Sequence, residues 1–212
     1  GRAAELGVGP ACAARFTILP EERCEVCGRP LISEIRRCMT CRGAGQPHAF
    51  DRAFMLYPYG GVYKQLLSAY KFGRHRVLAR FFAQMFLTAA AGWDALQGKD
   101  GWVWVPAPPR PGKIKARGWD QVEHIARVLA REGGVPVAQV LRRLPSLSQK
   151  TLNRENRLTN LNGRIIMNDQ TAPRNVILFD DVCTTGATLD ACATALKQGG
   201  AQQVLGMCLF YD

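Results

Sequence analysis

The segment VILFDDVCTTGAT, residues 176–188, constrains the fold more than any other feature of the sequence. Its four apolar residues, 176–179, predict a buried strand that ends at Asp180, and a helix is predicted over residues 187–198. In an open parallel sheet, ligands bind just beyond the carboxyl ends of the strands. The two acids Asp180 and Asp181 are therefore predicted to stand beside a bound ligand.

The loop that follows the two acids has the composition of a phosphate-binding site. Thr184, Thr185 and Thr188 supply hydroxyl donors, and Gly186 lets the backbone approach a ligand closely. The N-terminus of the following helix adds free N–H groups and the positive end of the helix dipole. The segment thus offers carboxylates for sugar hydroxyls and a monophosphate site about one sugar away. The alternative is a strand, a turn and a helix with a threonine cap and solvated acids.

Apolar strands alternate with helices from Phe50 onwards. Strands are predicted over 50–59, 102–106, 137–141, 175–179 and 204–210, and helices over 60–72, 77–91, 119–132 and 187–198. Because the strands are apolar throughout, the pattern predicts an α/β fold with a parallel sheet and helices on both faces. No apolar run reaches the roughly 18 residues of a membrane span, and the first residues lack the pattern of a signal peptide. We therefore expect a cytoplasmic protein without a membrane span.

Four of the eight cysteines form two CxxC pairs, namely Cys24, Cys27, Cys38 and Cys41. Two residues between the cysteines of a pair let both sulfurs face one ion, and Gly28 supports a tight knuckle. Four thiolates without an open position predict a structural, tetrahedral Zn²⁺ site. Such a metal replaces the core that a short N-terminal module cannot build. Disulfides or free thiols are the alternative, but the spacing favours a metal site in a reducing compartment. Cys12 and His48 stay unassigned.

Residues 176–188 resemble the phosphoribosyl-diphosphate (PRPP) motif of type I phosphoribosyltransferases: four apolar residues, two acids, two small or apolar residues, then TTG and small hydroxyl residues. The resemblance implies that Asp180 and Asp181 are the catalytic acids and contact the ribose 2′ and 3′ hydroxyls. Mg²⁺ would bind mainly through the diphosphate, ribose oxygens and water. The implied PRPP-binding residues are Asp180, Asp181, Val182, Cys183, Thr184, Thr185, Gly186, Ala187 and Thr188, of which the last five would hold the 5′-phosphate.

Folds of this type place a pyrophosphate loop after an earlier strand, which corresponds to WVWVP, residues 102–106. The implied loop residues are Val105, Pro106, Ala107, Pro108 and Arg110. The basic stretch continues through Lys113, Lys115 and Arg117, which could meet the charge of a diphosphate. ARGWDQ, residues 116–121, then starts a helix. The alternative for this segment is an exposed basic loop with Asp120 as a helix cap.

Taken together, the motifs resemble the ComF family of competence-associated proteins, including its GntX-like members. The matching stretches are CEVCGRPL with CMTC, FDRAFMLYPYGG, LLSAYKFGRHRVLARFFA, VPAPPR, RGWDQ, the segment with Gln149, Arg157 and Asn160, and VILFDDVCTTGAT. The resemblance covers residues 10–212 and implies an N-terminal zinc ribbon, residues 1–48, before a type I phosphoribosyltransferase-like domain, residues 49–212. Members often carry a further cysteine pair where only Cys12 stands, and RGWDQ replaces the usual RGFNQ.

Two functions stay open at this point. An enzyme would transfer phosphoribosyl from PRPP to a nitrogen acceptor and release diphosphate, with basic candidates for a lid at Lys71, Lys150, Arg154 and Arg157. A non-catalytic competence protein would sense nucleotides or handle single-stranded DNA during uptake. The net charge of +11 and the arginines of the ribbon (Arg23, Arg29, Arg36, Arg37 and Arg42) favour a polyanionic partner. The sequence identifies neither the acceptor nor the oligomeric state.

Overall fold

Four apolar strands form a parallel sheet in the order β1–β6–β5–β2. The strands are β1 (Arg52–Pro58), β2 (Trp102–Pro106), β5 (Asn175–Cys183) and β6 (Gln203–Tyr211). A separate antiparallel pair joins β3 (Leu141–Arg143) to β4 (Ile165–Met167). This computed structural model describes residues 7–9, 11, 13, 16, 22–43, 48–73, 75–98, 101–112, 114, 118–145, 163–168 and 171–212.

The helices in the described residues begin and end close to the predicted bounds, apart from the short first helix, which was not predicted. They are α1 (Met39–Gly43), α2 (Gly61–Lys71), α3 (Leu78–Ala91), α4 (Gln121–Arg131) and α5 (Ala187–Gln198), with a 3₁₀ turn at Asp94–Leu96. Asp120 caps α4, since its Oδ1 accepts hydrogen bonds of 2.9 Å from the N–H groups of Val122 and Glu123. None of the helices in the described ranges is long and apolar enough to cross a membrane.

Both faces of the sheet are covered, as the uniformly apolar strands predicted. Along β5, Ile177 and Phe179 pack into a core with α2, α3 and α4. Val176 and Leu178 point to the opposite face and pack with α5 and the β3–β4 pair. Fully buried aromatic side chains, including Phe82 and Phe86, fill the first core. The predicted α/β class, with a parallel sheet between helices, is confirmed.

Two predicted strand bounds are wrong. β5 does not end at Asp180, because its backbone stays paired with β6 as far as Cys183, opposite Tyr211. The predicted strand over 137–141 is reduced to one parallel bridge between Trp104 and Val137, after which the chain leaves the sheet and forms β3. Several residues named from the sequence lie outside the described residues: Cys12, Lys113, Lys115, Arg117, Gln149, Lys150, Arg154, Arg157 and Asn160.

The cysteine-containing segment, residues 22–43, lies against the edge strand β1. The N–H of Ala53 donates a 2.8 Å hydrogen bond to the carbonyl of Val26. Arg23 donates to the carbonyls of Met55 and Leu56, and its guanidinium lies 4.2 Å from the centre of the Phe54 ring. Gly28 has φ +68°, and a Cβ there would lie 2.2 Å from the Ala53 carbonyl oxygen, so only glycine fits at this contact.

Candidate functional site

The two CxxC pairs meet in one cluster. The four sulfurs of Cys24, Cys27, Cys38 and Cys41 all lie within 4.8 Å of one another. Cys27 Sγ and Cys38 Sγ are 3.7 Å apart, close to the ~3.8 Å edge of a tetrahedron with zinc–sulfur bonds of about 2.3 Å. The N–H of Cys38 donates to Cys24 Sγ over 3.4 Å, the kind of hydrogen bond that orients a thiolate ligand. The donor set and its geometry therefore fit a structural metal such as zinc.

The thiols of the cluster differ in acidity without a metal. Burial opposes ionisation of Cys24, but backbone hydrogen bonds from Cys27, Cys38 and Val26 outweigh it and lower the pKa of Cys24 to about 7. Burial raises the pKa of Cys41 to about 12 and also raises the pKa of Cys27. Four adjacent thiolates repel one another, so a divalent cation is what allows all of them to ionise together.

A cavity of about 290 Å³ opens at the carboxyl edge of the parallel sheet. Asp180 and Asp181, near the end of β5, line this cavity, and so does the loop after β2. Predicted PRPP-binding or pyrophosphate-loop residues in its lining are Asp180, Asp181, Val182, Thr184, Thr188, Ala107, Pro108 and Arg110. The fold therefore brings the ends of two separate strands to one space, as expected at this edge of a parallel sheet.

The two acids have different surroundings. Asp181 is buried and held from two sides: Lys71 Nζ lies 2.8 Å from its Oδ2, and Gln121 Nε2 donates to the same oxygen over 2.7 Å. The hydroxyl of Tyr70 in turn donates to the carbonyl of Gln121 over 2.9 Å. Lys71 thus lines the cavity as the ion-pair partner of Asp181, whereas the sequence suggested a place on a lid.

Asp180 faces the cavity without a basic partner of that kind in the described structure. Its Oδ1 accepts a 2.7 Å hydrogen bond from the N–H of Asp181. Burial and, second, the charge of Asp181 raise the pKa of Asp180 to about 8. A carboxyl group with a raised pKa is common at functional sites, because it can both accept and donate hydrogen bonds near neutral pH.

The loop of residues 184–188, here called the threonine loop, forms a second, smaller cavity of about 30 Å³. This cavity lies next to the first and shares lining residues with it. The predicted PRPP-binding residues that do not line the first cavity line this one: Cys183, Thr185, Gly186 and Ala187. α5 begins after Gly186, whose φ of +80° suits glycine. Because the N-cap residue is glycine, it has no side chain with which to cap the helix. Thr185 Oγ1 accepts only a long 3.4 Å bond from Ala187. The first N–H groups of α5 therefore lack the strong cap that Asp120 provides at α4.

The loop after β2 is only partly at the cavity. The N–H of Ala107 donates to the carbonyl of Phe179 over 2.9 Å, which fixes the start of the loop against β5. Val105 and Pro106 belong to β2 itself, paired with Leu178 and Phe179, and do not line this cavity. Of the five predicted pyrophosphate-loop residues, Ala107, Pro108 and Arg110 are therefore the ones at the site.

Sequence reasoning missed several residues of the site. Arg143, at the end of β3, lines the cavity, and burial together with the nearby Arg110 cation lowers its pKa. Gln121 holds Asp181, and Tyr59 lines the wall near β1. The motif RGWDQ pointed to the region of Gln121, and the stretch FDRAFMLYPYGG contains Tyr59, but no local pattern pointed to Arg143.

His48 is not part of the cysteine cluster. Its Nδ1 lies 2.7 Å from Asp190 Oδ2 on α5, and the N–H of Ala49 donates to the other oxygen of Asp190 over 2.8 Å. The imidazole stacks on Phe50, with 4.5 Å between ring centres. The segment after the cysteines is therefore tied to the first turn of α5.

The fold and the site define a class of protein: an α/β protein with a parallel sheet, a cavity at its carboxyl edge and a module with a four-cysteine cluster at the side. No protein-family model matches the chain. The chain is 28% identical over 198 residues to competence protein ComFC of Streptococcus pneumoniae, with 91% of this chain and 82% of the relative covered. The DNA utilization protein YhgH of Escherichia coli is 26% identical, with 96% and 89% covered. Competence protein F of Haemophilus influenzae is 23% identical, with 95% and 89% covered. These similarities over most of the chain support the resemblance to the ComF family that the motifs indicated.

Proposed function

We propose that the protein binds PRPP with Mg²⁺ in the carboxyl-edge cavity and transfers its phosphoribosyl group to a nitrogen acceptor, with release of diphosphate. One observation carries the proposal: two acids, a helix N-terminus with three threonines, and two arginines surround one space of about 290 Å³ with its small annex. These are the groups that a ribose, a monophosphate and a diphosphate need.

Each part of the cavity has a role in this proposal. Asp180 and Asp181 accept hydrogen bonds from the ribose hydroxyls, and Lys71 and Gln121 keep Asp181 in place. The threonine loop and the first N–H groups of α5 bind the 5′-phosphate. Arg110 and Arg143 stabilise the negative charge that grows on the leaving diphosphate, and Mg²⁺, when bound, supplies a further cation there. Catalysis then rests on positioning and electrostatic stabilisation.

The metal site and domain division belong to the same proposal. The four-cysteine cluster holds Zn²⁺ in a ribbon within residues 1–48, and residues 49–212 form the phosphoribosyltransferase-like domain. Thiols that serve as metal ligands must stay reduced, which supports a cytoplasmic location.

The test is calorimetric titration of the zinc-loaded protein with PRPP and Mg²⁺. The double variant Asp180→Asn, Asp181→Asn should lose binding, because amides donate as well as accept and carry no charge. Asp94→Asn is the matched control, since Asp94 is a carboxylate at the surface, paired with Arg52. Binding by the double variant at the affinity of wild type would refute the placement of ribose. A screen of nitrogen bases with PRPP, followed by diphosphate release, then tests for transfer.

A second candidate function is the handling of single-stranded DNA without turnover. The names of the relatives concern competence and DNA utilization, and the net charge of +11 suits a polyanion. Arg36, Arg37 and Arg42 are exposed on the cysteine-containing module. Fluorescence anisotropy with labelled single-stranded DNA should show affinity that falls steeply with salt. The variant Arg37→Ala, Arg42→Ala should reduce the salt slope by about two. Absence of binding at low salt would remove this candidate.

A further inference from the structure

Arg29 connects the cysteine cluster to the threonine loop. Its Nη2 donates two hydrogen bonds of 2.7 Å, one to the carbonyl of Thr184 and one to the carbonyl of Asp212. Its guanidinium also lies 5.5 Å from the centre of the Tyr211 ring. Charge-assisted bonds of this length are among the stronger hydrogen bonds in proteins. They join residues separated by 155 and 183 positions along the chain.

The backbone of Arg29 belongs to the knuckle that presents the first two cysteines. The carbonyl of Arg29 accepts a 2.8 Å hydrogen bond from the N–H of Cys24, and the N–H of Gly28 donates to the carbonyl of Cys24 over 2.9 Å. The position of Arg29 is therefore fixed by the same turn that a metal would close. Arg29 therefore connects the cysteine cluster directly to Thr184: its backbone bonds Cys24, and its side chain bonds the carbonyl of Thr184.

Other contacts dock the module on the sheet without Arg29. Val26 and Ala53 share a backbone hydrogen bond, Arg23 donates to β1 carbonyls, and Gly28 packs against Ala53. A variant of Arg29 can therefore leave the module docked. Its bond to Thr184 is aimed at the loop and not at β1, which separates a positioning role from a docking role.

We propose that Arg29 is a positioning residue that couples metal binding in the four-cysteine cluster to phosphate binding by the threonine loop. This inference rests on the proposed function, because it takes the loop as the site of the 5′-phosphate. Coupling between two sites is reciprocal, so the metal should tighten binding of the phosphorylated ligand, and the ligand should slow release of the metal.

The experiment compares the zinc-loaded wild-type chain with Arg29→Met, Arg29→Lys and Arg37→Met. Arg37 is exposed on the same module and controls for the lost charge. Two probes are titrated separately: ribose 5-phosphate for the threonine loop, and diphosphate with Mg²⁺ for the loop after β2. We expect Arg29→Met to weaken ribose 5-phosphate about tenfold and to leave diphosphate binding unchanged. Arg29→Lys should recover part of the loss, and Arg37→Met should match wild type.

Metal release gives the reciprocal readout. The rate at which a chromophoric chelator removes zinc should fall when ribose 5-phosphate saturates wild type, and should not respond in Arg29→Met. Equal loss of both probes in Arg29→Met would mean a general structural effect and would overturn the proposal. Unchanged ribose 5-phosphate affinity, with diphosphate also unchanged, would overturn it as well.

Hydrogen exchange separates this inference from the proposed function. If wild type binds neither probe, the proposed function fails, and the amides of residues 184–188 then decide the role of Arg29. Faster exchange there in Arg29→Met than in Arg37→Met, at equal zinc content, supports the positioning role. Equal exchange in the two variants overturns it.

Discussion

The cysteine-containing module, residues 22–43, and the sheet domain, which is the parallel sheet with the helices that cover it, have different interiors. The buried core of the module consists of Cys24, Cys27 and Cys38. Val26 and Leu31 pack partly buried against these cysteines, whereas Ile32 and Ile35 point outwards, with exposed fractions of 97% and 84%. The sheet domain instead buries apolar side chains on both faces of its strands, with Phe82 and Phe179 at 0% exposure.

This difference indicates that the two regions are stabilised by different means. We expect a module with so little buried apolar surface to gain much of its folding free energy from a metal in the four-cysteine cluster. The domain is stabilised mainly by apolar burial, at roughly 25 cal/mol per Å². The regions should therefore respond independently to removal of metal and to cavities in the core, except where hydrogen bonds cross between them.

The largest expected effect is loss of the metal from Cys27→Ser. Apparent binding free energies of structural zinc sites are about 10–16 kcal/mol, so loss of one thiolate should release the metal and unfold the module. Zinc content by elemental analysis should fall, and amides over residues 22–43 should exchange rapidly. Cys192→Ala is the control, because Cys192 is buried in the sheet domain. A Cys27→Ser protein with full zinc content would contradict the four-thiolate site.

A cavity in the core of the sheet domain should lower the free energy of unfolding and leave the zinc content unchanged. Phe82→Ala removes a fully buried ring from the core on one face of the sheet, at a cost of about 3–5 kcal/mol in the free energy of unfolding. Urea denaturation followed by tryptophan fluorescence measures that loss, and zinc content should stay at one per chain. Ile32→Ala, on the exposed surface of the module, should change the free energy of unfolding by less than about 0.5 kcal/mol. Loss of zinc from Phe82→Ala would mean that the regions are not independent.

The strands and helices that are marked by a local sequence pattern were predictable from the sequence. Runs such as WVWVP and the helical spacing in residues 77–91 depend only on near neighbours, and the structure has β2 and α3 there. The spacing of the two CxxC pairs likewise predicted the cluster of sulfurs. The polarity of Asp180 suggested a strand end, but backbone pairing with β6 does not depend on side-chain polarity, and β5 continues to Cys183.

The contacts that complete the site were not predictable, because they join distant positions. Gln121 and Asp181 are 60 residues apart, and Arg29 and Thr184 are 155 apart. No periodicity or spacing rule connects such pairs in a single sequence. Lys71 shows the consequence, since its charge suggested a lid and its place on α2 makes it the partner of Asp181.

A smaller effect is expected within the polar interior of the sheet domain, where the two acids should respond in opposite directions. Asp181→Asn leaves the largely buried Lys71 ammonium without its counter-charge and should lower the free energy of unfolding by about 2 kcal/mol. Asp180→Asn removes a carboxyl whose ionisation is opposed by burial, and should raise the free energy of unfolding at pH 8.

The raised pKa of Asp180 fixes the direction in which its contribution to stability changes with pH. Because the pKa of Asp180 is about 8 in the folded state and about 3.9 when unfolded, the folded state holds the proton more tightly. Its contribution to stability is present at low pH and is lost as the pH rises through that window. Urea denaturation of wild type and Asp180→Asn at pH 5 and pH 8.5 should show a gap that widens with pH. A constant gap would contradict the raised pKa.

The smallest expected effect lies at the junction between the two regions, in the pair of His48 and Asp190. The hydrogen bond to Asp190 raises the pKa of His48, whereas burial lowers the pKa of His124 on α4. His48 should therefore be the last of these two imidazoles to lose its proton as the pH rises, which NMR titration of the ring signals measures. The pair contributes about 0.5 kcal/mol, fully present below pH ~6.5 and lost as the pH rises through the folded pKa of His48. In Asp190→Asn the His48 titration should move down, while that of His124 stays. If His48 titrates at the same pH in both proteins, the ion pair does not form, and the junction is held by the backbone of Ala49 and by the stacking of His48 on Phe50.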